Sequence, residues 1–305
     1  MKQLLTLALL LLAACSSAPQ TPQSPQQVDR GRIDYYPAFA SEHFAARDVL
    51  VWLPEDYSPE QRYGVLYMHD AQMLFDKTTS WNGQSWNIDS VAQALIDQGR
   101  VAPFLVVGIN NDDATRLYDY VPRRVLDFVP ENDPLLQQCD KEKFVSDAYL
   151  RFLVEELKPF IDSHYPTRPE AAHTAIGGSS AGGLISLYAI AEYPTIFGAA
   201  ACLSTHTPMA LDKIDEEAPA WSKALRDYLD AQLPEAGMVK IYMDCGDQTL
   251  DALYPPYQQQ VDSLFEARGW DAAHYLSRFY AGHAHDERSW ESRLHIPLEW
   301  IFGVE

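Results

Sequence analysis

The chain has 305 residues, of which 47% are hydrophobic, and a formal net charge of −20 at pH 7. This length and apolar content suit one α/β domain with a substantial core. The acidic balance disfavours direct binding to nucleic acid or to an anionic membrane surface, because both carry negative charge.

Residues 1–14 predict a lipoprotein signal peptide. Lys2 supplies a positive charge, and residues 4–14 form an apolar run too short to span a bilayer as a mature helix. The run ends in Leu12-Ala13-Ala14-Cys15, which is similar to a bacterial lipobox, so Cys15 is the predicted lipidation site. An ordinary secretory peptide cleaved nearby is the alternative.

The residues after the signal peptide indicate where the protein resides. Ser16 resembles an outer-membrane sorting signal, so we expect a lipid anchor at the periplasmic face of the outer membrane. Residues 15–28 are rich in Ser, Pro and Gln and predict a disordered tether. Residues 29–305 then form the folded domain, and the lipid is its only expected contact with the membrane.

Strands and helices alternate along this domain. The predicted strands are residues 49–53, 64–70, 104–109, 172–176, 198–203, 239–243 and 274–280. The predicted helices are residues 88–98, 146–163 with Ser146 as N-cap, 184–191, 219–231, 257–268 and 290–302. This order predicts a mostly parallel sheet with helices on both faces.

One segment departs from that alternation. Residues 205–237 are acidic and interrupted by prolines. Two interpretations remain open: a lid inserted over the active site, or a plain surface excursion.

The cysteines of the domain give no metal framework. Cys139, Cys202 and Cys245 allow at most one disulfide, and no C-x-x-C motif occurs. Cys202 and Cys245 lie in apolar runs of strand type, so we expect both to be buried free thiols. The pairing state of the three cysteines cannot be assigned from their spacing.

Gly178, Ser180 and Gly182 form a G-x-S-x-G pattern between a predicted strand and a predicted helix. This context is typical of a nucleophile elbow, in which a sharp turn exposes a serine and only small neighbours avoid the backbone. Ser180 is therefore the candidate nucleophile. A glycine-rich turn with a solvated serine is the alternative.

A nucleophilic serine needs an imidazole base, which in turn needs a carboxylate to orient it. Two histidines, His283 and His285, follow the last predicted strand and compete for the role of base. Asp251, Asp247 and Asp244 follow the preceding strand, and spacing does not decide among them. A metal site at His-x-His lacks an evident third ligand.

The reaction also needs donors for an oxyanion. The first candidate is the backbone N–H of Ala181, at the start of the helix after the elbow. The second is the N–H of Gln72 or of Ala71, in the loop after the strand of residues 64–70. A simple turn is the alternative for that loop.

With these motifs in place, the chain resembles the putative-esterase, or esterase D–like, family of α/β-hydrolases, which includes enterochelin and feruloyl esterases. The resemblance covers roughly residues 49–302. It rests on the elbow and on four further motifs: Leu66-Tyr67-Met68-His69-Asp70-Ala71-Gln72, Trp86-Asn87-Ile88-Asp89, Tyr242-Met243-Asp244-Cys245-Gly246 and the segment of residues 282–290. Ala71 replaces the glycine usual in the family.

The resemblance implies residue roles. Ser180 is the nucleophile, His285 the base, and Asp251 the acid with Asp247 in reserve. The N–H groups of Gln72 and Ala181 form the oxyanion hole.

The implied activity is hydrolysis of a carboxylic ester through an acyl-enzyme, with no cofactor or metal. A siderophore or an acylated glycan is the expected substrate, and Trp81, Trp86, Tyr118 and Tyr120 either line the cleft for it or simply pack. An acyltransferase on the same fold, or a catalytically silent ligand-binding lipoprotein, is the alternative function. The oligomeric state is not determined by the sequence.

Overall fold

A computed structural model describes residues 24–210 and 214–304. Within these residues the chain forms one sheet of eight strands in the order β1-β2-β4-β3-β5-β6-β7-β8. The strands are β1 Arg32–Phe39, β2 Arg47–Leu53, β3 Gly64–His69, β4 Phe104–Ile109, β5 Thr174–Ser179, β6 Ala199–Leu203, β7 Lys240–Cys245 and β8 Tyr275–Phe279. β2 pairs antiparallel with β1 and β4, and β4, β3 and β5–β8 run parallel. The predicted mostly parallel α/β sheet is therefore confirmed.

Helices cover both faces of the sheet. They are α1 Ile88–Asp97, α2 Arg116–Tyr120, α3 Pro134–Gln138, α4 Ser146–Arg151, α5 Lys158–His164, α6 Ala181–Glu192, α7 Ile214–Gln232, α8 Pro255–Ala267, α9 Glu287–Arg293 and α10 His295–Phe302. Alternation along β2 sends Val49 and Val51 to the core beneath α6 and α7, and Leu50 and Trp52 to the core beneath α1 and α10. Parallel strands buried on both faces need such continuous apolar runs.

Several predicted boundaries shift. Residues 172 and 173 belong to a 3₁₀ turn, and β5 continues to Ser179. Ser146 is the first residue of α4 and not its N-cap, and its hydroxyl instead accepts the Arg123 N–H at 2.8 Å. The helix of residues 146–163 contains a π-helical turn at Phe152–Leu157, and the closing helix is the pair α9 and α10.

β1 was missed because its sequence offers no apolar run. It is an edge strand with a half-exposed burial pattern, and Pro37 lies within it, as edge strands tolerate. Its partner β2 supplies the buried residues of that pair.

The helix predicted in residues 205–237 is present as α7, and none of the described residues of this segment lines the catalytic cleft. α7 begins before Pro219, where the helix was expected to start, and contains this proline. Trp221, Leu225 and Tyr228 of α7 are buried in the core beneath α6. The apolar face of α7 packs against α6, α8 and the turn of residues 123–127.

The folded region begins earlier than Asp29, the predicted boundary. Gln26 is buried, and its side-chain amide donates to Ala71 O at 2.9 Å. The Asp29 and Arg30 N–H groups donate to the Asp89 carboxylate. The last residues of the predicted tether are therefore packed on the domain, whereas Cys15 and the signal peptide lie outside the described residues.

The cysteines at the sheet are free thiols, as expected for Cys202 and Cys245. Both are buried, and burial raises the pKa of the Cys245 thiol to about 12. Within the part of the chain that the structure describes, no helix is long and apolar enough to cross a membrane.

The buried His69, at the end of β3, should make the stability of the fold depend on pH. Burial lowers its pKa from 6.5 to about 4, and its Nδ1 atom lies 2.7 Å from the Tyr149 hydroxyl. At pH values between about 4 and 6.5, His69 is protonated in the unfolded chain but neutral in the folded protein. The free energy of unfolding therefore decreases as the pH falls from about 6.5 to about 4.

His69→Gln keeps an acceptor for Tyr149 but cannot titrate. Between pH 7 and pH 5 we expect the wild type to lose about 2 kcal/mol more unfolding free energy than this variant. Urea unfolding at both pH values measures the difference. Equal losses in the two proteins would show that His69 is protonated in the fold.

Candidate active site

Ser180 stands on a strained turn between β5 and α6. Its backbone has φ 58° and ψ −123°, a conformation that costs a residue with a side chain about 1–3 kcal/mol. The Ser180 N–H donates to Leu203 O on the neighbouring strand at 3.0 Å, and the His206 N–H donates to Ser180 O at 3.1 Å. The turn is thus held from the β6 side.

The two glycines of the motif are required by close approach. A Cβ on Gly178 would lie 3.1 Å from the carbonyl carbon of Gly182, and one on Gly182 would lie 3.2 Å from the Asp70 carboxylate. The first neighbour is backbone of α6, and the second is held by hydrogen bonds from Arg116 and Asn111. The elbow predicted from the sequence pattern is present.

His285 is held by Asp251. The His285 Nδ1 atom lies 2.6 Å from Asp251 Oδ1, and the His285 side chain is 12% exposed while that of Asp251 is fully buried. The Thr249 hydroxyl accepts the His285 backbone N–H at 2.8 Å, which fixes the loop that carries the ring. With Nδ1–H donated to Asp251, the other ring nitrogen is left as a proton acceptor.

Asp251 is kept ionised inside the protein. Burial alone would raise its pKa, but hydrogen bonds from His285, from the Ser204 hydroxyl at 2.6 Å and from the Gly246 N–H at 2.6 Å hold the pKa below its usual value. A carboxylate that accepts several such bonds stays charged at neutral pH.

The competing candidates occupy other positions. Asp247 lies in its loop near the surface and accepts the Gly282 N–H at 2.7 Å. Asp244 is buried and forms a bidentate ion pair with Arg293, at 2.8 and 3.0 Å. His283 lies beside the same arginine, 3.3 Å from its Nη1 atom. The structure therefore brings only Asp251 and His285 of these candidates together.

Ser204, Arg293 and Trp290 form a layer behind the acid that sequence reasoning missed. The Ser204 hydroxyl donates to Asp251 and accepts from Trp290 Nε1 and Arg293 Nη2, both at 2.9 Å. One donor and two acceptors use the full capacity of a hydroxyl. Arg293 and Asp244 are almost completely buried, so the guanidinium compensates a carboxylate that would otherwise be strongly destabilising.

The only sequence signal for this layer was the segment of residues 282–290, which ends in Trp290. Nothing in the local pattern distinguished Arg293 from a solvated helix residue. Its partners lie on β7 and after β6, at separations of 49 and 89 residues.

Ser180 and His285 open into one cleft of about 480 Å³. Its other lining residues are Asp70, Gln72, Met73, Thr79, Trp81, Trp86, Asn111, Asp113, Arg116, Ser179, Glu287 and Trp290. Among the described residues, no hydrogen bond joins the Ser180 hydroxyl to the His285 ring. Such bonds are often long or poorly aligned in enzymes without substrate and tighten when it binds.

Tyr254 and His206 lie beneath the serine and were also missed by sequence reasoning. His206 Nε2 lies 2.8 Å from Ala210 O, so this nitrogen donates and His206 Nδ1 accepts from the Tyr254 hydroxyl at 2.7 Å. Burial lowers the pKa of His206 to about 4, so the ring is neutral at pH 7. Burial raises the pKa of the Tyr254 phenol. The Tyr254 ring also packs edge-on against His285, with ring centroids 5.5 Å apart.

Two backbone N–H groups are free at this end of the cleft. The first helical bond of α6 runs from the Leu184 N–H to Ser180 O, so the Ala181 N–H precedes it. The first bond of the 3₁₀ turn at Ala71–Met73 runs from the Met73 N–H to Asp70 O, which leaves the Gln72 N–H in the same situation. Both predicted oxyanion donors are therefore unpaired within their elements.

The cleft walls combine aromatic and charged groups. Trp81 is 81% exposed at the rim, whereas Trp86 is buried and packs against Trp290 with ring centroids 5.4 Å apart. Arg116 forms a bidentate pair with Asp70, at 2.7 and 2.9 Å.

Two other features of the region concern binding. Tyr118 and Tyr120 do not line the cleft, unlike the two tryptophans with which they were grouped in the sequence. No group of three or more His, Cys, Asp or Glu residues in the described ranges is arranged to hold a metal ion.

A mostly parallel sheet with a serine elbow after β5, an aspartate after β7 and a histidine paired with it after β8 defines an α/β-hydrolase. Residues 45–300 match the family described as "Putative esterase". The chain belongs to this family, and its described domain has the fold and site of a carboxylic ester hydrolase.

Relatives and solved structures are similar to this chain over much of its length. The Bacillus subtilis (strain 168) protein YjcH is 27% identical over 168 residues, which are 55% of this chain and 59% of that protein, so the chain spans about three fifths of this relative. A structure of a ferulic acid esterase superposes with a TM-score of 0.64 at 19% identity, covering 90% of this chain and 98% of the other. A structure of the enterobactin esterase FES from Shigella flexneri superposes with a TM-score of 0.62 at 19% identity, covering 93% of this chain and 60% of the other.

Proposed function

We propose that the protein is a serine esterase in which Ser180, His285 and Asp251 form the catalytic triad. The observation that carries this proposal is the 2.6 Å distance between His285 Nδ1 and Asp251 Oδ1. The His285 ring lines the same cleft as the elbow serine. The positioned imidazole has one nitrogen committed to Asp251, so the other is available to take the serine proton.

The reaction proceeds in two halves. His285 removes the proton from Ser180 as its oxygen attacks the ester carbonyl, which forms a C–O bond and pushes the carbonyl electrons onto oxygen. Collapse of this intermediate breaks the bond to the alcohol, which leaves with the proton from His285. Water, activated by the same ring, then attacks the acyl-enzyme and releases the acid and Ser180.

The N–H groups of Ala181 and Gln72 bind the oxyanion in both halves. Ala181 lies at the N-terminus of α6, where the helix dipole adds to its donor strength. A single oxyanion donor is worth about 2.7–4 kcal/mol of transition-state stabilisation.

For the substrate we propose an ester whose acid part carries a phenolic ring, on either a siderophore or a glycan. Two similar structures contain ferulic acid and 2,3-dihydroxy-N-benzoyl-serine, and both ligands are phenolic. Trp81 provides exposed apolar surface at the rim of the cleft, with the buried Trp86 behind its wall, and Arg116 and Asn111 provide polar contacts for ring hydroxyls.

The direct test is Ser180→Ala, assayed with p-nitrophenyl acetate and with a panel of feruloyl, acetyl and dihydroxybenzoyl esters. We expect kcat to fall on the order of 10⁶-fold, because alanine has no hydroxyl with which to form the acyl-enzyme at the elbow. Wild-type rates in this variant would refute the role of Ser180. A rate profile of the wild-type enzyme without preference for phenolic acyl groups would refute the substrate proposal.

Asp251→Asn against Asp247→Asn tests the acid. A neutral amide in place of the Asp251 carboxylate could not stabilise the imidazolium and would favour the wrong tautomer of His285, so kcat should fall about 10⁴-fold. Asp247→Asn serves as the matched control, because within the described ranges this carboxylate accepts hydrogen bonds from Gln248 and Gly282 and none from His285. A larger loss in the Asp247 variant would transfer the role to that residue.

We also propose that Cys15 carries the lipid anchor, at the periplasmic face of the outer membrane. The lipobox-like sequence before Cys15 supports this localisation. Cys15→Ser should abolish incorporation of a palmitate analogue and move the enzyme from the membrane fraction to the soluble periplasmic fraction. Unchanged membrane association would contradict the anchor, and cell fractionation with an activity assay measures it.

A further inference from the structure

Gln26 contacts the loop that carries the second oxyanion donor. Its side chain is 5% exposed, and its Nε2 atom donates to Ala71 O at 2.9 Å across 45 residues of sequence. Because a carbonyl oxygen can only accept, the amide must direct its NH₂ group toward it. This is the one side-chain contact to the Ala71 carbonyl that the described residues make.

The contact acts on a particular peptide unit. The Ala71 carbonyl and the Gln72 N–H belong to one peptide bond, which is planar and rigid, so fixing the direction of one fixes the direction of the other. The Leu74 N–H donates to the same oxygen at 3.2 Å. Two donors on the carbonyl also polarise the unit and make its N–H a stronger donor.

Other contacts hold Gln26 in place. The Ser24 hydroxyl accepts the Gln26 N–H at 3.0 Å, and the Asp76 carboxylate accepts the Gln27 N–H at 3.2 Å. Further along, Asp89 of α1 accepts two backbone N–H groups of the arm, at 2.8 and 3.1 Å. Residues 24–30, which we call the N-terminal arm, are thereby anchored on both sides of Gln26.

We propose that Gln26 is a positioning residue for the oxyanion hole: the N-terminal arm aligns the 71–72 peptide unit so that the Gln72 N–H faces the cleft. This inference rests on the proposed function. It gives the arm a role in catalysis in addition to its packing on the domain.

The structure separates this role from stability. The Gln26 Oε1 atom is buried and has no partner among the described residues, so removing the amide also removes an unsatisfied polar atom. Gln26→Met has nearly the same shape and no donor. Its folding stability should therefore stay close to that of the wild type while the alignment is lost.

The experiment measures kcat and KM of the full-length enzyme with Gln26→Met and Gln26→Glu. Gln27→Met is the control, because this neighbour is exposed and its side chain makes no hydrogen bond within the described residues. We expect kcat to fall about tenfold or more in both Gln26 variants, a part of the 10²–10³-fold effect of losing a whole oxyanion donor, with KM within about twofold. The control should keep the wild-type kcat.

A second readout is inhibition by phenylboronic acid, whose tetrahedral adduct with a catalytic serine places an oxygen in the oxyanion hole. Its inhibition constant should rise by the same factor by which kcat/KM falls, at unchanged melting temperature. A kcat equal to that of Gln27→Met, or a loss that follows melting temperature and leaves boronate inhibition unchanged, would overturn the inference. If Ser180→Ala retained activity, the proposed function would fail instead, so the two failures are distinguishable.

Discussion

The catalytic arrangement depends on the backbone at Ser180, which is forced to a positive φ at the point where β5 becomes α6. Hydrogen bonds to Leu203 and from His206 tie this turn to the β6 side, and close contact between Gly178 and Gly182 leaves no space for larger residues. These contacts compensate the strain of the backbone, so Ser180 keeps its positive φ and does not adopt an unstrained conformation. Every other group of the site is arranged around that fixed hydroxyl.

The second constraint is buried charge. Asp251 and Asp244 lie close together with no access to water, and Arg293 is the guanidinium that contacts this region. Arg293 binds Asp244 directly and reaches Asp251 only through the Ser204 hydroxyl. Dividing the roles in this way leaves one Asp251 oxygen free for His285. The same layer uses Trp290, whose ring packs edge-on against His285 with centroids 5.1 Å apart, so the base is fixed by packing as well as by charge.

The strands β2–β8, the elbow, and the presence of histidines and aspartates after the last two strands followed from hydrophobic patterns and from strand order, because these are local signals. The choice of His285 over His283 came only from the family resemblance. The choice among Asp244, Asp247 and Asp251 did not follow from local signals, since it depends on how a 3₁₀ turn at Thr249–Leu253 presents its carboxylate. Arg293, Tyr254 and His206 act across many tens of residues, and no spacing rule marks them. The sequence did not decide between a lid and a surface excursion for the segment that contains α7. Its acidic residues dominate the local composition, and its buried face is apparent only in the fold.

If Cys15 carries a lipid, as we propose, the N-terminal arm would limit how far the cleft can lie from the bilayer. A lipid on Cys15, as proposed, would be joined to Ser24 by nine peptide units, which extend at most about 30 Å. Since the arm enters the domain beside the oxyanion loop, the mouth of the cleft would stay within roughly one domain diameter of the headgroups. Such an enzyme would act on esters that reach the membrane surface or are bound to it. A longer linker between the lipid and the domain would change which polymers the cleft can reach.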